Sequence, residues 1–372
     1  MKIAVISSSS PSLLNFRGPL LVEMKRRGHD ILVLAPDHDE TTRAALRQIG
    51  VEPVDFAMSR TGTNPLADAG TLLQLCKLLR RHRPEVSLAY FIKPVIYGSI
   101  TAWLAGVPRR YAMIEGLGFA FSKDAERTWR RSILFSAVLM LFRLALFCAT
   151  RIIFLNPDDR AEFLQRELVA KDKTDLLGGI GVDLSEWRAR SGLAPARTTF
   201  ILVARLLRDK GIEEYFAAAR LVRKDYPDTR FILVGEHDKN PAAVPMTLIR
   251  QWVDEGIVEW PGFVAVRPWL EQASVFVLPS YREGVPRSTQ EAMAVGLPVI
   301  TTDVPGCRET VVHGVNGFLI PPRDPSSLAD AMRRFIENPD LIASMGVAGR
   351  RMAEERFDVH QQNDKLLRMI GL

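Results

Sequence analysis

A chain of 372 residues, 47% hydrophobic and 25% charged, holds apolar material for two cores of ordinary size, which excludes a disordered chain and a small disulfide scaffold. Its three cysteines, Cys76, Cys148 and Cys307, are isolated and match no zinc spacing; with no secretory leader in MKIAVISSSS, the odd count points to a reducing compartment. The net charge of +6 is uneven: residues 1–150 hold 20 Lys and Arg against 12 Asp and Glu, the rest 29 against 31, so the first half is expected to meet an anionic partner such as nucleic acid, an anionic membrane or a lipid phosphate.

In chain order, KIAVIS (2–7) reads as a first strand. A polar loop over 7–18, a helical run over 18–28 and a second strand, DILVLAP (30–36), follow. SLAYFI (87–92), RYAMI (110–114) and IIFLN (152–156) supply further strands. The opening recurs at TFILVAR (199–205), with a helix from about Ile212 to Tyr226 and a strand RFILVG (230–235); VEWPG (258–262), VFVLPS (275–280) and PVITT (298–302) come after it. Apolar runs of this kind, closed by Gly or Pro, belong to strands buried on both faces and hence to parallel sheets. Strand alternating with helix in both halves predicts an α/β protein of two Rossmann-like domains with parallel sheets facing across a cleft. The expected domains are 1–185 and 186–356, with a linker between Gly178 and Arg197. One last helix is expected from roughly Pro339 to Met369, its 357–372 part returning to the first domain.

Two motifs carry chemistry. In SYREGVPRSTQEAMAVGLPVI (280–300), Glu283 on a loop and Glu291 inside the next helix form an E-x7-E spacing. Two such carboxylates can hold separate hydroxyl-bearing parts of one ligand, while the helix start between them offers N–H groups and a positive dipole end to a phosphate. A nucleotide sugar has that layout. Ser288 and Glu291 also have the spacing of a capping box, and spacing alone leaves the two readings level. In VARLLRDKG (203–211), Arg205 closes a strand and Lys210 precedes Gly211 at a helix start, two cations suited to a diphosphate. As solvated loop residues they would mean little, but both motifs fall on successive units of one sheet. Asp37-His38-Asp39 gives only a weak metal reading, so no metal or other cofactor is expected.

With these residues the chain resembles glycosyltransferase family 4, over nearly its whole length. The resemblance implies a retaining GT-B enzyme in which Arg205 and Lys210 hold the donor diphosphate, Glu283 meets the donor sugar and Glu291 the ribose. Gly284, Val285, Pro286, Arg287 and Ser288 would line the sugar and phosphate, and Gly18 would join them. WPGFV (260–264) resembles the segment whose backbone reads the base, so Phe263 and Val264 take that role. Uracil is the commoner base, hence a UDP-sugar donor. NFRGPLL (15–21), SRTGTNPL (59–66), FIKPVIYG (91–98) and IEGLGFAF (114–121) are similar to bacterial enzymes extending undecaprenyl-diphosphate-linked saccharides, among them N-acetylgalactosaminyltransferases. Polyprenyl-diphosphate acceptor contacts are then expected at Asn15, Arg17, Arg60, Lys93 and Glu115, with the three cations on loops after strands. Glu115 stands near a place where many members have His. It could accept the acceptor hydroxyl proton, bind a sugar hydroxyl or cap the turn. The implied catalytic set is Glu115, Glu283, Arg205 and Lys210.

The most apolar run, SILFSAVLMLFRLALFCA (132–149), approaches the length of a bilayer span but contains Arg143 and follows Lys123, Arg127, Arg130 and Arg131. An interfacial helix with a basic collar is preferred over a core helix, which places the protein peripherally at the cytoplasmic face of the plasma membrane, with no nucleic-acid partner. Two alternatives share the layout: a hydrolysing UDP-N-acetylglucosamine 2-epimerase and a non-catalytic sugar-nucleotide sensor at the membrane. For the epimerase, none of the six histidines (29, 38, 82, 237, 313 and 360) adjoins Glu115 or Glu283 in sequence.

Overall fold

The computed structural model describes the chain except residues 60–63, 117–128, 191–196, 239 and 241, and the side chains of 65 and 129–135. It forms two units, Met1–Ile180 with His360–Leu372, and Gly181–Val359. The crossings therefore lie at 180/181 and 359/360, against the 185/186 and 356/357 expected from the sequence.

The first unit runs β1 (Lys2–Ile6), α1 (Ser10–Arg26), β2 (Asp30–Ala35), α2 (Glu40–Gln48), β3 (Glu52–Asp55), α3 (Pro65–His82), β4 (Val86–Tyr90), α4 (Ile92–Leu104), β5 (Arg109–Ile114), α5 (Trp129–Cys148), β6 (Arg151–Phe154), α6 (Pro157–Gln165) and β7 (Thr174–Leu176). The strands form one parallel sheet in the order β3-β2-β1-β4-β5-β6-β7. Continuous apolar runs put β1 and β4 at its centre, where the strand order reverses, and the short polar EPVD and TDL segments form its edges.

The second unit runs β8 (Thr199–Val203), α7 (Ile212–Asp225), β9 (Arg230–Val234), α8 (Met246–Asp254), β10 (Glu259–Gly262), α9 (Arg267–Glu271), β11 (Val275–Leu278), α10 (Arg287–Ala294), β12 (Val299–Thr302), β13 (Gly317–Ile320), α11 (Pro325–Glu337) and α12 (Asp340–Arg356). Its sheet is also parallel, ordered β10-β9-β8-β11-β12-β13. Here β8 and β11 lie at the centre, fully buried, and the loops that follow them carry the motif residues.

Two expectations are corrected. The segment 7–18 is not a loop: α1 is one helix from Ser10, and Gly18-Pro19 lies inside it. Leu13, Arg17, Leu20 and Met24 recur at helical spacing on its buried face, so a cation stands in an otherwise apolar stripe and hides the period. Nor is the C-terminal helix continuous. After α12 the backbone of Phe357 and Val359 bonds that of Val182 (2.8 and 3.0 Å), a one-residue parallel bridge that ends the helix, and α13 (Val359–Met369) starts anew. In the first unit α13 is tied down by Lys365 Nζ, which donates to Leu177 O at 2.5 Å, and by the Arg27–Asp364 ion pair.

Candidate active site

The residues of the two motifs meet at the carboxyl end of the second sheet. After β8 a short 3-10 turn, Arg208–Lys210, ends on Gly211 at φ +70°, where a Cβ would lie 2.2 Å from Pro279 O. Only glycine lets this turn press against the segment after β11. The contact delivers Lys210: its Nζ lies 2.5 Å from Glu283 Oε1, and the same oxygen accepts from Ser280 Oγ at 2.7 Å. Burial works against the charge on Lys210, but Glu283 and Asp209 outweigh it and hold its pKa above the ordinary lysine value. The Glu283 N–H donates to Pro305 O at 3.1 Å, and a Cβ on Gly306 would lie 2.3 Å from Glu283 O, so a second close turn fixes this loop from behind. Cys307, fully buried beside it, has its thiol pushed up to about 12 by burial and by Glu283, which leaves it unreactive packing. Arg205, half exposed, places Nη1 2.9 Å from the Asp238 carboxylate.

Helix α10 supplies the rest. Its N-cap is Pro286, with no side-chain cap bond. The capping box is therefore absent: Ser288 lies two residues past the N-cap, inside the helix, and Glu291 turns to Arg287, accepting from its Nε at 2.9 Å. Burial raises the Glu291 carboxyl to about 7 against the pull of Arg287. Gly284, Val285 and Pro286 are buried, and Arg287 and Ser288 are half-buried on the helix's first turn. Gln290, wholly buried, shapes that backbone by donating to Val285 O at 3.2 Å and accepting from the Gly181 N–H at 3.1 Å. Phe263 is exposed and Val264 half-buried just after β10, where Trp260 Nε1 donates to Gly235 O at 3.0 Å. Two partners escaped sequence reading. Ser280, three residues before Glu283, was legible as a turn donor; Gln290 gave no signal.

In the first unit, Arg17 and Lys93 are on helices, not the loops expected. Arg17, 2% exposed, reaches from α1 to pair with Glu115 just beyond β5; its Nη2 lies 3.1 Å from Met113 Sδ and its guanidinium 4.9 Å from the Tyr90 ring centre. Asn15 is exposed on α1 and Gly18 half-buried. Lys93, in the first turn of α4, lies 3.1 Å from Asp68. Arg60 lies outside the described residues, as do the side chains of Lys123, Arg127, Arg130 and Arg131. Asp39 is the N-cap of α2, accepting from the Thr42 N–H at 2.7 Å, which accounts for half of the DHD motif. Among the described residues no group of three His, Cys, Asp or Glu side chains is placed to hold a metal.

Over its described part helix α5 is apolar apart from Ser136 and Arg143, both of them exposed. Phe142, Ala145, Leu146 and Cys148 pack inward, while Met140, Leu141, Leu144 and Phe147 face outward, Met140 and Phe147 each 71% exposed. Among the described residues no helix is long and apolar enough to cross a membrane.

Two doubly wound units, one carrying a cation–carboxylate turn ahead of a buried-glutamate helix, define a GT-B glycosyltransferase. Residues 18–178 match a profile described as a glycosyl transferase 4-like domain, and residues 197–338 one described as glycosyl transferases group 1. A Campylobacter jejuni N,N'-diacetylbacillosaminyl-diphospho-undecaprenol alpha-1,3-N-acetylgalactosaminyltransferase is 24% identical over 354 residues, covering 92% of this chain and 91% of its own. An Escherichia coli UDP-Gal:alpha-D-GlcNAc-diphosphoundecaprenol alpha-1,3-galactosyltransferase is 27% identical over 81% of this chain and 79% of its own. The Anabaena HepE structure in complex with UDP superimposes with a TM-score of 0.77 over 100% of both chains at 19% identity. The chain belongs to glycosyltransferase family 4, and it is a glycosyltransferase. None of these relatives favours the epimerase or the sensor.

Proposed function

We propose that the enzyme moves an N-acetylhexosamine, N-acetylgalactosamine foremost, from UDP to a saccharide carried on a polyprenyl diphosphate, with retention, at the cytoplasmic face of the membrane. The observation that carries this reading is the likeness, over 92% and 81% of this chain, to two transferases whose acceptors are undecaprenyl-diphosphate saccharides. UDP is supported by the HepE complex of the same fold.

In this reading Arg205, Lys210 and the N–H groups at the start of α10 stabilise the leaving diphosphate, cations doing what a metal would otherwise do. Glu283, fixed by Lys210 and Ser280, takes the donor sugar. Glu291 takes the ribose, the Gly284–Ser288 segment the sugar and phosphate, and Phe263 and Val264 the base. Asn15, Gly18, Lys93, Arg60 and Glu115 serve the first unit's side of the reaction. The outward face of α5 lies on the bilayer surface, supported by four exposed apolar side chains on one helix and by the basic balance of residues 1–150.

A panel of UDP-sugars, assayed for UDP release with and without a polyprenyl-diphosphate saccharide, tests the proposal. Release that depends on the acceptor supports it. Acceptor-independent hydrolysis or epimerisation, or no turnover with any donor, overturns it.

A further inference from the structure

Arg17 is too deep to be an anion ligand. A guanidinium 2% exposed cannot meet an acceptor diphosphate without leaving its pocket, and that pocket is built for it: the Glu115 carboxylate, the Met113 sulfur at 3.1 Å and the Tyr90 ring at 4.9 Å. A buried cation is costly unless paired, and a fold that only needed to pack α1 here would use an apolar residue in the stripe of Leu13, Leu20 and Met24. The elements involved are telling. α1 follows β1, Tyr90 ends β4 and Glu115 follows β5, so the group sits at the carboxyl end of adjacent central strands, at the point where the strand order reverses. Ligands of doubly wound sheets bind there. Of the pair, Glu115 is the member nearer solvent, at 12% exposed.

We infer that Arg17 and Glu115 act as one unit, the buried guanidinium holding Glu115 as a fixed carboxylate that receives a hydrogen bond from a hydroxyl of the acceptor saccharide. Arg17 is then a positioning residue that touches no substrate, and Glu115 the contact. This rests on the acceptor reading proposed above. The carboxylate has two oxygens: one is committed to Arg17, and the other is available to a hydroxyl donor.

The test compares Arg17→Gln, Arg17→Lys, Glu115→Gln and the double variant Arg17→Gln/Glu115→Gln in the full-length enzyme, with UDP-sugar and a lipid-linked acceptor. Each is read for kcat, acceptor KM, UDP affinity and melting temperature. Glu115→Gln is expected to lower kcat roughly 10²-fold while leaving UDP affinity unchanged. Arg17→Gln should give a loss of similar size, Arg17→Lys should recover part of it, and the double variant should be no worse than either single one. Multiplying losses, or a rise in acceptor KM confined to the Arg17 variants, would make Arg17 a separate acceptor ligand and overturn the inference. So would full activity in Glu115→Gln. If Arg17→Gln does not fold, the double variant and Arg17→Lys carry the comparison. Loss of UDP binding in the wild type would instead count against the donor reading, so the two failures are distinguishable.

Discussion

Glu291 links the donor site to pH. Its carboxyl is raised to about 7 from the ordinary 4.5 because burial disfavours the charged form more than Arg287 favours it. A group whose folded pKa lies above its unfolded one stabilises the fold fully below the unfolded value, and that contribution is lost as pH rises through the folded value. Here the window runs from about 4.5 to about 7. At about 1.4 kcal/mol per tenfold in proton affinity, the charged carboxylate costs about 3 kcal/mol above pH 8. At roughly 2–4 °C per kcal/mol for a domain of this size, the wild-type melting temperature should fall relative to that of Glu291→Gln by roughly 6–12 °C between pH 5 and pH 8. Binding runs the other way. If the ribose hydroxyls donate to Glu291, UDP favours the carboxylate, and uptake at pH 6 should release about one proton more than in Glu291→Gln, with no difference at pH 8. Calorimetry in buffers of different ionisation enthalpy counts these protons, and the Gln variant accounts for those of the nucleotide itself. Equal proton counts in the two proteins at pH 6, or parallel melting curves, would mean that Glu291 neither titrates near 7 nor meets the ribose.

Lys210→Ala and Arg205→Ala should each lower turnover by about 10²-fold or more, the scale of losing one transition-state charge partner, and unchanged kinetics in both would remove the donor-site assignment. Lys210→Ala should also melt earlier, because the half-buried Glu283 loses its cation; Arg205, half exposed, should show no such drop. Chelation with EDTA should leave the rate unchanged, and a loss restored by a divalent cation would overturn the assignment of diphosphate stabilisation to Arg205 and Lys210. Met140→Ser/Leu144→Ser/Phe147→Ser should abolish co-flotation with anionic vesicles while leaving turnover on a short-chain soluble acceptor intact. A wild type that ignores vesicles at low salt would dismiss the membrane face.

Much of this was legible in the sequence, for physical reasons. Central parallel strands bury both faces, so KIAVI, VSLAY, TFILV and VFVL announce themselves, whereas EPVD and TDL at the sheet edge carry too little apolar signal and GFLI, though apolar, is a four-residue edge strand. The Lys210 turn and the Glu283 loop were found as separate motifs; that they join through one ion pair depends on Gly211 fitting under Pro279, a contact between segments about seventy residues apart. Arg17 is illegible as a buried group because a charge in the stripe of α1 breaks its apolar period. Its partner, Glu115, lies 98 positions away, and no local pattern links the two. The same holds for Glu291, whose capping spacing with Ser288 was sound as a pattern but failed because the helix begins one residue after Pro286.

The decisive measurement is to incubate the purified enzyme with UDP-[³H]N-acetylgalactosamine and a polyprenyl-diphosphate-linked saccharide, then extract lipid and determine the anomeric configuration of the new linkage by NMR. A retaining transferase puts label in the lipid fraction, releases UDP in equal amount and forms an α-linkage that keeps the donor's configuration. Label recovered only as free or epimerised sugar, or a β-linked product, would contradict that reading.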